Sequence, residues 1–299
     1  METSLPRARG ISVSAQTFRR LTLANAAMLL VIIATGATVR LTASGLGCEH
    51  WPGCQAGHPL PEKNYHSYVE FSNRIVAAVT ILVTLVTLVA ALLARVPVRQ
   101  RWLAAGTFAG TLAQAPLGAI TVYYHLNPWL VLTHFLLSLV VLTLGVVLAL
   151  DAWRARGVDG PAWTRAASLA LAAACGVLVV TGTLATASGP HPGTANGGAG
   201  VRRVWSFEPA VWLHVRAAAV FAIALAVALV WLWRRREPHL RAGLVVLGIL
   251  AVQGAVGEIQ YRTKLPWWLV LVHVTLAASV WAAAVVFTAG FWRRATLDG

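Results

Sequence analysis

The chain is short of charge. Aspartate, glutamate, lysine and arginine make up 11% of its 299 residues, against about 25% in a soluble globular protein. That deficit excludes an ordinary soluble fold and requires a core buried against lipid and neighbouring helices. The first apolar stretch has no clear small-residue cleavage site and runs into a polar loop, which argues against a removable signal peptide. Zinc-like spacing is missing as well: no ligand pattern groups His50, His58, His66 and His191. What is abundant is apolar surface, with 58% hydrophobic residues and a mean hydropathy of +0.69.

Eight apolar stretches are long enough to cross a bilayer, which takes roughly 20 residues each. They are predicted near 21–39, 70–94, 102–123, 129–150, 163–187, 209–233, 239–260 and 266–291. The expected fold is an all-α integral membrane protein. Its net charge of +14 invites a nucleic-acid reading, but the distribution of the charge opposes it. With the N-terminus placed in the cytoplasm, 16 arginines fall on inner segments and six arginines and lysines on outer ones, with Arg74 and Arg216 at helix mouths. This is the positive-inside pattern, so both termini are expected in the cytoplasm. Anionic lipid headgroups, not nucleic acid, are the expected contacts.

The sequence also repeats. Gln114–His134 (QAPLGAITVYYHLNPWLVLTH) matches Gln253–His273 (QGAVGEIQYRTKLPWWLVLVH) without a gap, at an offset of 139 residues. Thr35-Gly36 before Ala43-Ser44-Gly45 resembles Thr181-Gly182 before Ala187-Ser188-Gly189, and the segment 69–74 aligns with 210–215. Two pseudo-symmetric four-helix bundles follow, related by an axis along the membrane normal. The expected division is 1–150, a polar link at 151–162 (DAWRARGVDGPA), and 163–299.

The repeat brings His134, His214 and His273 to equivalent places about one turn inside helices 4, 6 and 8, with Asn73 at the matching place on helix 2. Two neutral imidazoles at one depth, such as His214 and His273, make an axial pair for a haem iron. The competing reading is a pair of hydrogen-bonded core histidines. Glu70 shares a helix face with Asn73; it is either a helix cap or a proton acceptor at a pocket mouth. Arg74 and Arg216 either pair with propionates or snorkel toward headgroups. Cys48 and Cys54, on an outer loop, can form a staple or a redox-active pair. Cys175 reads as a small core residue, and His125 and His239 as interfacial. Trp102, Trp129, Trp163, Trp212, Trp267 and Trp268 fit an aromatic belt.

The segments TGATVRLTASGLGCEHWPGC at 35–54, EFSNR at 70–74, WLH at 212–214 and the two histidine-ending repeats resemble the haem A synthase family over nearly the whole chain. The resemblance implies a haem b cofactor held by His214 and His273 in the C-terminal bundle. It implies haem O as substrate in the N-terminal bundle, near Glu70 and His134; Asn73 and Arg74 are expected beside it from their places on helix 2. The implied reaction oxidises the C8 methyl to a formyl in two steps with oxygen from water, Glu70 acting as base or cation stabiliser. The cysteine pair is implicated in activity. An electron acceptor is required but not named by the sequence; haem O synthase and a second copy of the chain remain open as partners. Many relatives carry E-x-x-H-R on helix 2, where this chain has Asn73, so His134 is expected to be the sole histidine ligand in the first half. The alternatives are a b-type cytochrome that only relays electrons, which leaves Glu70 and the cysteine loop without a purpose, and a transporter, which lacks the expected paired interrupted helices.

Overall fold

The computed structural model describes residues 12–48, 50, 51, 53–55, 57, 60, 61, 64–158, 160–194 and 203–293. Arg7, Arg9, Lys63, Arg202 and Arg294 of the charge pattern, and His58 of the loop histidines, lie outside the described residues. The described residues form eight helices: α1 (Ala15–Leu41), α2 (Tyr65–Leu93), α3 (Val98–Tyr123), α4 (Pro128–Ala152), α5 (Trp163–Ser188), α6 (Phe207–Arg234), α7 (Leu240–Arg262) and α8 (Trp267–Gly290). Each is long and apolar enough to cross a membrane. The protein is therefore an all-helical multi-pass membrane protein, as its composition requires. The six belt tryptophans are all exposed.

Local chemistry sets the helix ends. Asn64 and Asn127 cap α2 and α4, their side chains accepting from the N–H groups of His66 and Trp129, which supplies acceptors to otherwise orphaned donors. The sharp α3–α4 and α7–α8 turns use the same device. His125 and Leu126 have positive φ in the first, and Lys264 and Leu265 in the second. The Leu126 N–H donates to Thr121 O (2.9 Å) and the Leu265 N–H to Gln260 O (2.7 Å). These pairs stand 139 residues apart, so the sequence repeat is also a repeat of backbone conformation.

Helices α1 to α4 pack as a closed ring, each touching the next and α4 returning to α1; α5 to α8 do the same. The rings meet through α1–α8, α4–α8 and α4–α5. Exchanging each helix for its counterpart four positions on leaves this pattern unchanged, as two-fold pseudo-symmetry requires. At the end where α1 begins and α8 ends, the Asp151 side chain is 8% exposed and pairs with Arg293 (2.5 Å) and Arg99 (3.1 Å). Asp151 and Ala152 are the last residues of α4, and Arg293 compensates the carboxylate there. At the opposite end the loops of the two halves interlock. Arg40 donates to His191 O and Thr186 O, and the Gly45 N–H donates to Gly193 O (2.9 Å).

Candidate functional site

His134, His214 and His273 lie at the seventh or eighth residue of their helices, nearly two turns in rather than one. They project from even-numbered helices that all start at the same end. Within each ring the two even helices are diagonal and do not pack on each other, so their side chains address a common interior.

In the second ring this brings His214 and His273 together, with ring centroids 6.3 Å apart and planes at 80°. Two imidazoles bridged by one metal ion, with bonds of about 2 Å each, place their centroids roughly 6 Å apart. Nδ1 of His214 lies 3.2 Å from Leu178 O and 3.4 Å from Thr181 Oγ1. An Nδ1–H donated to that carbonyl leaves Nε2 with its lone pair, the state a metal ligand needs. The His273 ring lies against the Gln253 backbone, although its Nδ1 falls short of full hydrogen-bond geometry, and Nδ1 of His134 is buried without a partner among the described residues. A metal held at Nε2 would leave these Nδ1 atoms as they are, so the fit rests on the 6.3 Å spacing of the His214 and His273 rings. These residues fit an iron-centred ligand.

Glycine makes room for the rings. A Cβ on Gly182 would lie 2.8 Å from Cε1 of His214, and one on Gly257 3.0 Å from Cε1 of His273. In the first ring a Cβ on Gly118 would lie 3.7 Å from Cε1 of His134, whereas one on Gly36, beside Asn73, would meet nothing within 4 Å. Three histidines therefore have a glycine floor, and the fourth floor has open space above it. Thr35 Oγ1 donates to Asn73 Oδ1 (2.7 Å), the counterpart of the Thr181–His214 contact. Gln114 Nε2 donates to Ser138 Oγ (2.8 Å) and to His134 O (3.2 Å). Thr35, Thr181 and Gln114 were not expected as site residues, although their places in the repeated Thr-Gly and Gln-x-x-x-Gly segments signalled them.

Glu70 is not a cap: Asn64 caps α2, and Glu70 lies buried a turn and a half further in. Its Oε1 pairs with Arg74 Nη2 (2.5 Å) and its Oε2 accepts from the Cys48 N–H (2.9 Å). Cys48 and Cys54 form a disulfide. Arg74 also donates to His50 O (2.7 Å) and to Gly53 O. Disulfide loop, carboxylate and guanidinium are thus one unit over the mouth of the first ring. Arg216 is exposed and stacked on Trp212; two residues past His214, it stands on the far side of α6. His66 contacts Ser44 Oγ (3.0 Å), and His191 contacts Leu265 O (2.8 Å). Cys175 is a buried free thiol in the core of the second ring.

The family model described as Cytochrome oxidase assembly protein (COX15-CtaA) matches residues 19–285. The chain is 35% identical over 136 residues to "Heme A synthase" of Symbiobacterium thermophilum, an alignment covering 44% of each chain. It is 33% identical over 126 residues to "Heme A synthase" of Bacillus pumilus, covering 41% of each. To "Heme A synthase" of Geobacillus kaustophilus it is 35% identical over 131 residues, covering 42% of this chain and 40% of that one. These alignments span less than half the length of the curated relatives.

Proposed function

The chain belongs to the cytochrome oxidase assembly protein family, and from that premise we propose that it is a haem A synthase. The reaction is oxidation of the C8 methyl of haem O to a formyl with oxygen from water. The observation that supports this best is the asymmetry of the two repeated pockets. One holds the His214–His273 pair; the other has His134 on one diagonal helix and Asn73 with Glu70 on the other.

In this reading His214 and His273 would hold a resident haem b through neutral imidazoles, and residues 163–299 form the cofactor half. Residues 1–150 form the substrate half, where His134 alone offers an imidazole to haem O. A single strong ligand suits a molecule that must leave as product. Haem b, when bound, supplies one-electron acceptance beside the substrate. In the first step the methyl and one water give a hydroxymethyl, two protons and two electrons. In the second the hydroxymethyl gives the formyl, two protons and two electrons, and all four electrons pass on to an acceptor outside the chain. Glu70 takes a proton from the attacking water. Its carboxylate has about four acceptor sites, of which Arg74 and the backbone of Cys48 and Gly47 engage three. Arg74 keeps a cation at the pocket mouth, whereas Arg216, stacked on Trp212 on the far side of α6, snorkels toward the headgroups and is given no haem contact. In this reading both termini lie in the cytoplasm and the haem sites face the outer side of the cell membrane, which the excess of arginine on one side supports.

Expression in cells that make haem O, followed by pigment extraction, tests the reading: haem A is the expected product. His214→Ala or His273→Ala should remove the low-spin haem spectrum, and His134→Ala should leave it. A chain that shows the low-spin spectrum but yields no haem A would be an electron-relaying cytochrome instead.

A further inference from the structure

The two bundles differ most in the half of the membrane away from the histidines. On α2, Glu70, Asn73, Ala77, Thr80, Thr84 and Thr87 recur at steps of three and four and line one face. On α3, Thr107, Thr111 and Gln114 do the same, leading to Gly118 beneath His134. On α1, Asn25 lies on the buried face between Thr22 and Leu29, turned toward Gly145 of α4. Asn25, Thr80, Thr84 and Thr107 are at most 1% exposed. With a rise of 1.5 Å per residue, Asn25, Thr84 and Thr107 each lie roughly 14 Å from the cytoplasmic ends of their helices, at one level.

The second bundle supplies the control. At the repeat offsets Asn25 corresponds to Leu171, Thr80 to Phe221, Thr84 to Leu225, Thr107 to Val246 and Thr111 to Leu250. All five counterparts are apolar and belong to, or pack on, one dry core cluster. The same helix positions are therefore polar only in the bundle that carries Glu70.

The threonine hydroxyls donate to carbonyls of their own helices, as Thr80 does to Val76 O (2.7 Å), Thr84 to Ile81 O (2.8 Å) and Thr107 to Leu103 O (2.7 Å). Their oxygens keep acceptor capacity. Among the described residues Asn25 has no such partner: Nδ2 and Oδ1 are both buried without a hydrogen bond, a feature its counterpart Leu171 cannot share, whereas Oε1 is unmet in both Gln114 and its counterpart Gln253. A fully buried amide left unmet is costly, and buried water is the usual partner of such groups.

We propose that the cytoplasmic half of the first bundle is a hydrated column, from Asn25 past Thr84, Thr107, Thr80 and Thr111 to Gln114 and the Glu70 chamber. It holds the water the reaction consumes and carries away the protons it releases. That use rests on the reaction proposed above; the hydration itself does not. Phe18, packed with Ala90, Ala91, Ala104 and Leu148, closes the base as an apolar constriction. The disulfide loop and Arg74 close the top, and the fixed guanidinium charge opposes proton escape to the other side.

The test uses the full-length, haem-loaded protein in a Cys175→Ser background, where the Cys48–Cys54 disulfide contributes no thiol. Thr84→Cys is compared with its counterpart Leu225→Cys, and Thr107→Cys with Val246→Cys. Each is exposed to Ag+, washed, unfolded and labelled with a maleimide, with the low-spin haem absorbance confirming the fold beforehand. Because thiol reactivity follows access, the two threonine positions should be blocked about tenfold faster than their counterparts. Adding Phe18→Ala should speed blocking further. Equal blocking within both pairs would overturn the column, even in a protein that makes haem A. Selective blocking in a protein that makes no haem A would keep the column and refute the assigned reaction.

Discussion

The backbone N–H of Cys48 donates a 2.9 Å hydrogen bond to Oε2 of Glu70, so the disulfide and the proposed proton acceptor are joined by one contact. Opening the disulfide frees the loop that holds this donor and the carbonyls that hold Arg74. Cys54→Ser, or treatment with a reductant, should therefore lower haem A formation several-fold while the His214–His273 haem spectrum stays unchanged. Glu70→Gln removes the proton acceptor itself and should cost about a hundredfold or more. Pigment extraction and optical spectra on the same membranes measure both. Loss of the low-spin spectrum in Cys54→Ser would show that the loop supports the whole fold and not the first pocket alone.

The glycine floors predict a graded series. Gly182→Ala would bring a methyl to 2.8 Å from Cε1 of His214, closer than side-chain carbons approach, so the ring must tilt. Gly257→Ala should act similarly on His273, at 3.0 Å. Both variants should shift the haem potential or lower the haem-to-protein ratio. Gly36→Ala meets nothing within 4 Å and should leave both unchanged. An unaltered potential and full haem content in Gly182→Ala would remove His214 as a positioned ligand.

The sequence carried the helices almost whole, because each span is a continuous apolar run between polar breaks: the stretch expected at 209–233 is α6 at Phe207–Arg234. The histidine levels were also legible, since a gapless repeat fixes equivalent depth without any three-dimensional information. What remained hidden depends on residues far apart in the chain. Glu70 looks like a cap until the Cys48 loop folds over it, and Asp151 looks like a solvated link residue until Arg293, 142 positions away, closes on it. The Thr35–Asn73 bond likewise needs two helices to meet. Local patterns cannot report such pairings, since burial of a polar side chain is decided by its distant partner.

His239 gives a pH prediction outside the membrane spans. Its Nε2 lies 2.8 Å from Phe287 O and its ring stacks on Phe287 at 5.2 Å. Burial pushes the imidazole below the ordinary histidine range, partly opposed by the Phe287 carbonyl and by Glu237. Because the folded value is lowered, folding favours the neutral ring. The associated stability is complete above the unfolded value, about 6.5, and is lost as pH falls toward the folded one. The thermal midpoint should drop more between pH 7 and about pH 5 in the wild type than in His239→Gln, which keeps an N–H donor but does not titrate. Parallel pH profiles would remove His239 from the acid response.

Asp151 separates a buried ion pair from an exposed one at a single carboxylate. Arg293 donates to its Oδ1 from both Nη1 and Nη2, at 2.7 and 2.5 Å, and both side chains are nearly buried, at 13% and 8% exposure. Arg99 reaches Oδ2 at 3.1 Å but is 70% exposed. Removing the shared charge leaves the Arg293 guanidinium without compensation, and breaking such a pair typically costs about 3–5 kcal/mol. Water screens the Arg99 contact, which is worth about 1 kcal/mol or less. Asp151→Asn should therefore destabilise strongly and Arg99→Ala barely, although both delete an ion pair with the same acid. Asp151 ends α4 and Arg293 follows α8, so the damage should fall where the two bundles join. Thermal unfolding followed by haem absorbance gives the global cost, and proteolysis of the 153–162 segment gives the local one. Equal effects of the two variants on both measurements would mean that Arg293 finds another partner once Asp151 is neutralised.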